Sequence, residues 1–169
     1  MSKVRLYLVR HGKTMFNTIG RAQGWSDTPL TAEGELGIHE LGIGLRESGL
    51  QFDRAYSSDS GRTIQTMGII LEELGLQGKI PYRMDKRIRE WCFGSFDGAY
   101  DGDLFMGLIP RIFNVDHVHQ LSYAELAEGL VEVDTAGWAE GWEKLSGRIK
   151  EGFEAIAKEM EEQGGGNAL

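Results

Sequence analysis

The chain has 169 residues, enough for one domain with a sizeable core, and its apolar content of 41% is ordinary for a soluble globular protein. Its formal net charge of −8 argues against nucleic acid as a partner, but not against an anionic substrate, since a few local arginines can dominate a pocket's field. The single cysteine, Cys92, excludes an intrachain disulfide; with no signal peptide or membrane-length apolar run read in the sequence, a cytoplasmic protein without a membrane partner is predicted.

The first predicted element is a strand. Leu6, Tyr7, Leu8 and Val9 form a short apolar run, as in a parallel-sheet strand buried on both faces, and it leads directly into Arg10-His11-Gly12. Ligands of open α/β sheets bind beyond the carboxyl ends of strands, and Gly12 permits a sharp turn there. Arg10 and His11 therefore stand where chemistry is expected. A guanidinium grips phosphate oxygens in a fork, and a neutral imidazole nitrogen can attack phosphorus. The plain alternative is a strand-end histidine that is merely hydrogen-bonded.

Thr31 is predicted to cap a helix with Glu33 in its first turn and a stripe of Leu36, Ile38, Leu41 and Leu45 as far as Arg46. Glycines at 37, 42 and 44 weaken that helix, so packing must hold it. A brief strand at Arg54–Ser57 follows, then a helix with Ile64, Met67, Leu71 and Leu74 on one face and Gly75 at its end. A further strand is predicted near Ile80–Met84. From Gly98 to Glu132 the pattern is irregular, with short helices around 103–113 and 122–128, the second opened by a Ser122/Glu125 capping box.

Thr135 is predicted to cap a long helix whose stripe of Trp138, Trp142, Leu145, Ile149, Phe153, Ile156 and Met160 faces the core. Gly164-Gly165-Gly166 ends it, and Asn167-Ala168-Leu169 reads as the start of another strand. This alternation predicts an α/β fold: one domain over residues 1–169, with a mostly parallel sheet flanked by helices.

Further blocks follow Arg10-His11-Gly12 in order: Asn17; Gln23-Gly24-Trp25-Ser26-Asp27-Thr28-Pro29-Leu30-Thr31-Ala32-Glu33-Gly34; Ser57-Ser58-Asp59-Ser60-Gly61-Arg62-Thr63-Ile64-Gln65-Thr66; and Arg89-Glu90-Trp91-Cys92-Phe93-Gly94-Ser95-Phe96-Asp97-Gly98. This set resembles the histidine phosphatase superfamily, the phosphoglycerate-mutase-like proteins, over nearly the whole chain. The resemblance implies a phosphoglycerate-mutase-like sheet, with residues 98–132 as a small helical insertion that covers the active site and shapes substrate choice. It implies His11 as nucleophile and Glu90 as the acid/base carboxylate. Arg10, His11, Asn17 and Arg62 are the implied phosphate-binding set, and the arginines clamp oxygens that gain charge in the transition state. One ring nitrogen of His11 must then be held by a hydrogen bond, which a backbone carbonyl near Gly12 can supply.

Each residue also has a plain reading. Arg62 alone is a surface arginine, Asn17 a loop residue, and Glu90 the partner of Arg87 or Arg89 in a structural ion pair. Asp97 stands where the family usually has Glu. His39, His117 and His119 make a weak metal signal, so neither metal nor cofactor is expected. Ser57, Ser58 and Ser60 lack a convincing base and read as structural caps.

The resembled family places a second essential histidine on a strand after the long final helix, and no remaining histidine here lies in such a context. The chain is therefore expected to be truncated before that histidine, with the final strand region missing and an apolar edge left on the first strand. The expected activity is hydrolysis of a phosphomonoester, a small phosphorylated metabolite, through phosphohistidine, with phosphate as product. The alternatives are a phosphoglycerate mutase and, if the chain truly ends at Leu169, an inactive phospholigand-binding domain.

Overall fold

In the computed structural model, which describes residues 3–169, four short strands organise the first of two units. That unit comprises Met1–Met15, Thr28–Arg89 and Lys150–Leu169; the second comprises Phe16–Asp27 and Glu90–Ile149. Strand β1 (Val4–Leu6) pairs with β4 (Gly166–Ala168), and β2 (Ala55–Ser57) pairs with β3 (Tyr82–Met84), both in parallel. Tyr56 N–H donates to the Leu169 carbonyl at 2.8 Å and Leu169 N–H to that of Arg54 at 3.0 Å. These bonds join the two pairs in the order β1-β4-β2-β3, with β4 inside the sheet.

The first strand is shorter than its apolar run. Its ladder ends where Tyr7 N–H meets the Ala168 carbonyl, and Leu8, expected to be buried, is 76% exposed.

After the short α1 (Met15–Ile19), helix α2 (Ala32–Glu47) starts as predicted, with Thr31 Oγ1 accepting from Gly34 N–H at 3.0 Å. Its inner face differs from the expected leucine stripe. Gly34, Ile38 and Gly42 are buried, while Leu36 and Leu41 are exposed. The reason is close backbone approach: a Cβ at Gly34 would stand 2.1 Å from the Lys13 carbonyl oxygen. One at Gly42 would stand 2.6 Å from the Glu73 Cβ of α3 (Gly61–Glu73). Helix α3 ends in a Schellman motif, with Leu76 N–H on the Leu71 carbonyl, Gly75 N–H on that of Glu72, and Gly75 at φ 65°. Leu30, Ile38, Phe52, Met67, Ile70 and Leu71 belong to this unit's core.

The second unit has its own core, including Trp91, Phe93, Leu104, Ile109, Leu126 and Leu130. Its chain winds through Gly102–Leu108 with π-helical geometry, then α4 (Ile109–Phe113) and α5 (Tyr123–Val133), which carries the predicted Ser122/Glu125 box. The predicted insertion, 98–132, lies within this unit.

Helix α6 (Trp142–Glu162) begins later than predicted, and Thr135 does not cap it. The Asp134 carboxylate instead gathers the N–H groups of Ser95, Ala136, Trp138 and Ala139, which turns the chain away from helix. Burial alone would raise its pKa, but these donors hold the carboxyl well below the usual carboxylate range. Glu128 accepts from Trp142 N–H at 3.0 Å where α6 starts. Trp138 is consequently 70% exposed, Trp142 is exposed too, and the buried stripe starts at Leu145. Among the described residues no helix is long and apolar enough to cross a membrane.

Two glycines of α2 give opposite expectations. Gly34→Ala collides with backbone and should lower stability by about 1–3 kcal/mol. Gly37→Ala meets nothing within 4 Å and should raise it by up to about 1 kcal/mol through helix propensity alone. Urea denaturation of the two variants checks both signs.

Candidate active site

His11 follows the end of β1, and its Nδ1 lies 2.8 Å from the Gly12 carbonyl oxygen. A carbonyl can only accept, so Nδ1 carries a proton and donates it to Gly12. Gly12 has no room for a side chain: a Cβ there would stand 2.8 Å from the Gly34 carbonyl oxygen and 2.9 Å from Ile38. Its N–H donates to Thr66 Oγ1 at 3.1 Å, and the Thr66 hydroxyl donates to the Arg62 carbonyl at 2.8 Å. This relay ties the His11–Gly12 turn to the first turn of α3. Arg62 is 1% exposed, which rules out the surface reading. Arg10 is exposed in the loop beyond β1.

The loop before α3 is tightly bonded. Ser58 Oγ and Thr63 Oγ1 lie 2.8 Å apart, Thr63 Oγ1 donates to the Ser60 carbonyl, and Ser57 Oγ pairs with the Tyr82 hydroxyl at 2.7 Å. These hydroxyls do structural service. Ser60 precedes α3 without placing its side chain on the helix amides. His11, Leu8, Val9, Ser58, Thr63 and Ile156 line one cavity of about 270 Å³. Asp59 accepts a two-pronged bond from Arg89, which holds its carboxyl below the usual range. Arg87 grips Asp85 in the same manner. Each of these two arginines thus holds an aspartate of its own unit.

Asn17 and Glu90 belong to the second unit, Asn17 exposed on α1 and Glu90 also exposed. Glu90 Oε1 accepts from Trp91 N–H at 2.9 Å. The Glu90 carbonyl accepts from Trp25 Nε1 at 3.0 Å and Arg148 Nη2 at 2.8 Å. Asp97, the departure from the family pattern, organises this region. Its Oδ1 accepts from the N–H groups of Gly24 and Ser26, at 2.8 and 3.2 Å, and its Oδ2 from Phe93 N–H at 3.3 Å. Gly24 is required there, since a Cβ would stand 2.3 Å from the Trp91 carbonyl oxygen. The nearby Cys92 thiol is buried, and burial raises its pKa, which makes it a poor nucleophile.

The structure therefore brings His11 and Arg62 together through Thr66, a residue that sequence reading did not single out. Its signal was available: Thr66 stands one helical turn after Arg62 on the same face. Glu140 and Arg148 were missed as well, and no motif marks them. His39 bonds to Glu73 at 2.8 Å. Among the described residues, no group of three or more His, Cys, Asp or Glu is arranged to hold a metal.

The model of the histidine phosphatase superfamily (branch 1) matches residues 6–106. The chain belongs to this superfamily. It is 34% identical over 133 residues to the 2,3-bisphosphoglycerate-dependent phosphoglycerate mutase 1 of Latilactobacillus sakei subsp. sakei (strain 23K), a match covering 78% of this chain and 54% of the relative. It is also 34% identical over 94 residues to the corresponding mutase 2 of Bacteroides thetaiotaomicron, covering 56% of this chain and 38% of the relative. The chain thus spans about half or less of the length of these two relatives. Among solved structures, the phosphoglycerate mutase from Bacillus anthracis str. Sterne superposes with a TM-score of 0.91 at 37% identity, over 99% of this chain and 74% of that one. That likeness shows the α/β fold with its parallel sheet.

Removing the hydroxyl of the relay should cost stability without changing shape. Thr66→Val strands the Gly12 amide and should destabilise by about 1–3 kcal/mol, whereas Thr66→Ser, which keeps the acceptor, should retain most of the stability. Chemical denaturation of the two variants separates the hydroxyl from the methyl.

Proposed function

We propose that this protein transfers a phosphoryl group through a phosphohistidine at His11, with water as the final acceptor: a phosphomonoester hydrolase for a small phosphorylated metabolite. The observation that carries this reading is the bond from His11 Nδ1–H to the Gly12 carbonyl, which fixes the ring and makes Nε2 the nitrogen for attack on phosphorus.

In the first step the Nε2–P bond forms as the bond from phosphorus to the leaving oxygen breaks. Glu90, by its place in the Arg-Glu block, gives the departing alkoxide its proton. In the second step water attacks phosphorus, Glu90 takes a proton from it, and the N–P bond breaks to release inorganic phosphate. Arg10 and Arg62 hold the oxygens on which charge builds, and the positive end of α3 adds to that field. Asn17 donates a further hydrogen bond to the phosphate. The Gln23–Thr31 segment and the short insertion after Gly98 favour a phosphatase over a glycolytic mutase.

A second reading has its own support. The relatives named above are phosphoglycerate mutases, in which the phosphoryl group would return to a substrate hydroxyl instead of water. Product analysis with 3-phosphoglycerate plus 2,3-bisphosphoglycerate separates the two: 2-phosphoglycerate marks the mutase, inorganic phosphate the hydrolase.

His11→Ala should lower turnover of p-nitrophenyl phosphate by at least about a thousandfold and abolish acid-labile phosphorylation of the protein. Undiminished turnover by that variant rejects His11 as the nucleophile.

A further inference from the structure

The second unit contains a buried ion pair that the proposed reaction does not use. Glu140 is 1% exposed, and Arg148 binds both of its carboxylate oxygens, through Nε at 2.7 Å and through Nη2. Burial opposes the charge on Glu140, but the guanidinium and the Cys92 N–H hold its carboxyl below the usual range. A pair this well buried is a poor source of net stability, because desolvating both charges offsets much of their attraction. Its contacts point to another role.

The same Nη2 that binds Glu140 also donates to the backbone carbonyl of Glu90. Trp25 Nε1 donates to that oxygen too, and the Arg148 guanidinium lies 5.9 Å from the centre of the Trp25 ring. The pair is anchored to the adjoining residues as well. Cys92 N–H donates to Glu140 Oε2, Glu140 N–H to the Cys92 carbonyl, and Trp91 Nε1 to the Glu140 carbonyl at 2.8 Å. Glu140 is thereby fixed against the 91–92 backbone, and Arg148 reaches from it to the peptide just before.

That peptide unit is the one that holds the Glu90 side chain. A trans peptide is planar, with its C=O and N–H on opposite edges. The oxygen edge of the Glu90–Trp91 peptide is gripped by Arg148 and Trp25, and its N–H edge donates to Glu90 Oε1 at 2.9 Å. Fixing the oxygen fixes the plane, and the plane aims the N–H at the carboxylate. Donors on the carbonyl also polarise the N–H, which strengthens its bond to the carboxylate.

We propose that Arg148, anchored by Glu140, is a positioning residue for Glu90: it orients the Glu90–Trp91 peptide so that the peptide N–H holds the Glu90 carboxylate in one place. The inference rests on the reading of Glu90 as the acid/base group. In this role Arg148 acts through the Glu90–Trp91 peptide. Lysine cannot replace it fully, since one ammonium lacks the planar fork that serves Glu140 and the Glu90 carbonyl together.

The test follows the Trp91 amide by nuclear magnetic resonance on acidification, alongside steady-state hydrolysis of p-nitrophenyl phosphate. In the unaltered chain the amide signal should move as the Glu90 carboxylate gains its proton, and Glu90→Gln should abolish that movement, which identifies its source. Arg148→Met should remove most of the movement and lower kcat about tenfold or more, with KM within about twofold. Arg148→Lys, which keeps the charge and tests the same point should the methionine variant not fold, should fall between the two. If either Arg148 variant folds with the Trp91 response and kcat unchanged, the pair is merely structural and the positioning role is overturned. If Glu90→Gln instead hydrolyses at the normal rate, the acid/base reading of Glu90 fails, and this inference fails with it.

Discussion

The chain of hydrogen bonds from the Gly12 amide through the Thr66 hydroxyl to the Arg62 carbonyl is the constraint on which the candidate site depends. Loops beyond strand ends are where ligands bind, and they are also where backbone order is hardest to maintain. Here the turn carrying His11 is joined to a helix by a buried hydroxyl, so that the imidazole and the buried Arg62 guanidinium share one rigid support. The bond from His11 Nδ1 to the Gly12 carbonyl then fixes the ring itself. Close packing of α2 completes the support, because Gly12 and Gly34 let two backbones meet where any side chain would separate them.

In the second unit carboxylates take over the work that a sheet ladder does in the first. Its loops carry backbone N–H groups without strand partners, and such groups must be satisfied somewhere. Asp97 gathers donors from residues 24, 26 and 93, and Asp134 from residues 95, 136, 138 and 139. Glu140 takes the amide of Cys92 as well as Arg148. Three acidic side chains thus define the course of the irregular chain. Asp97 also gives a physical account of its family departure: its short side chain bridges two segments directly, one oxygen facing each.

Much of the fold was legible because its signals are local. The Thr31 cap, the Ser122/Glu125 box and the glycine stop of α3 all follow from short patterns whose physics is contained in a few residues, and the last strand, expected from Asn167, starts one residue earlier. The departures share one cause, which is that the deciding partner is distant in sequence. Leu36 and Leu41 lie outward because the glycines of α2 face close backbone. Thr135 caps nothing because Asp134 captures the amides that follow it. Of the site, the block residues could be read from their order along the chain. Thr66, Glu140 and Arg148 could not, because their roles exist only through contacts with backbone atoms, which any sequence supplies.

The Nδ1 bond of His11 has one more consequence, which concerns isomerism. Imidazole has two nitrogens that can carry a phosphoryl group, and the two adducts are different compounds with different lability. With the Nδ1 proton committed to the Gly12 carbonyl, the ring can offer phosphorus only its outer nitrogen. Any phosphoryl group carried at this position would therefore be the single Nε2 regioisomer, a choice made by one backbone oxygen before substrate arrives.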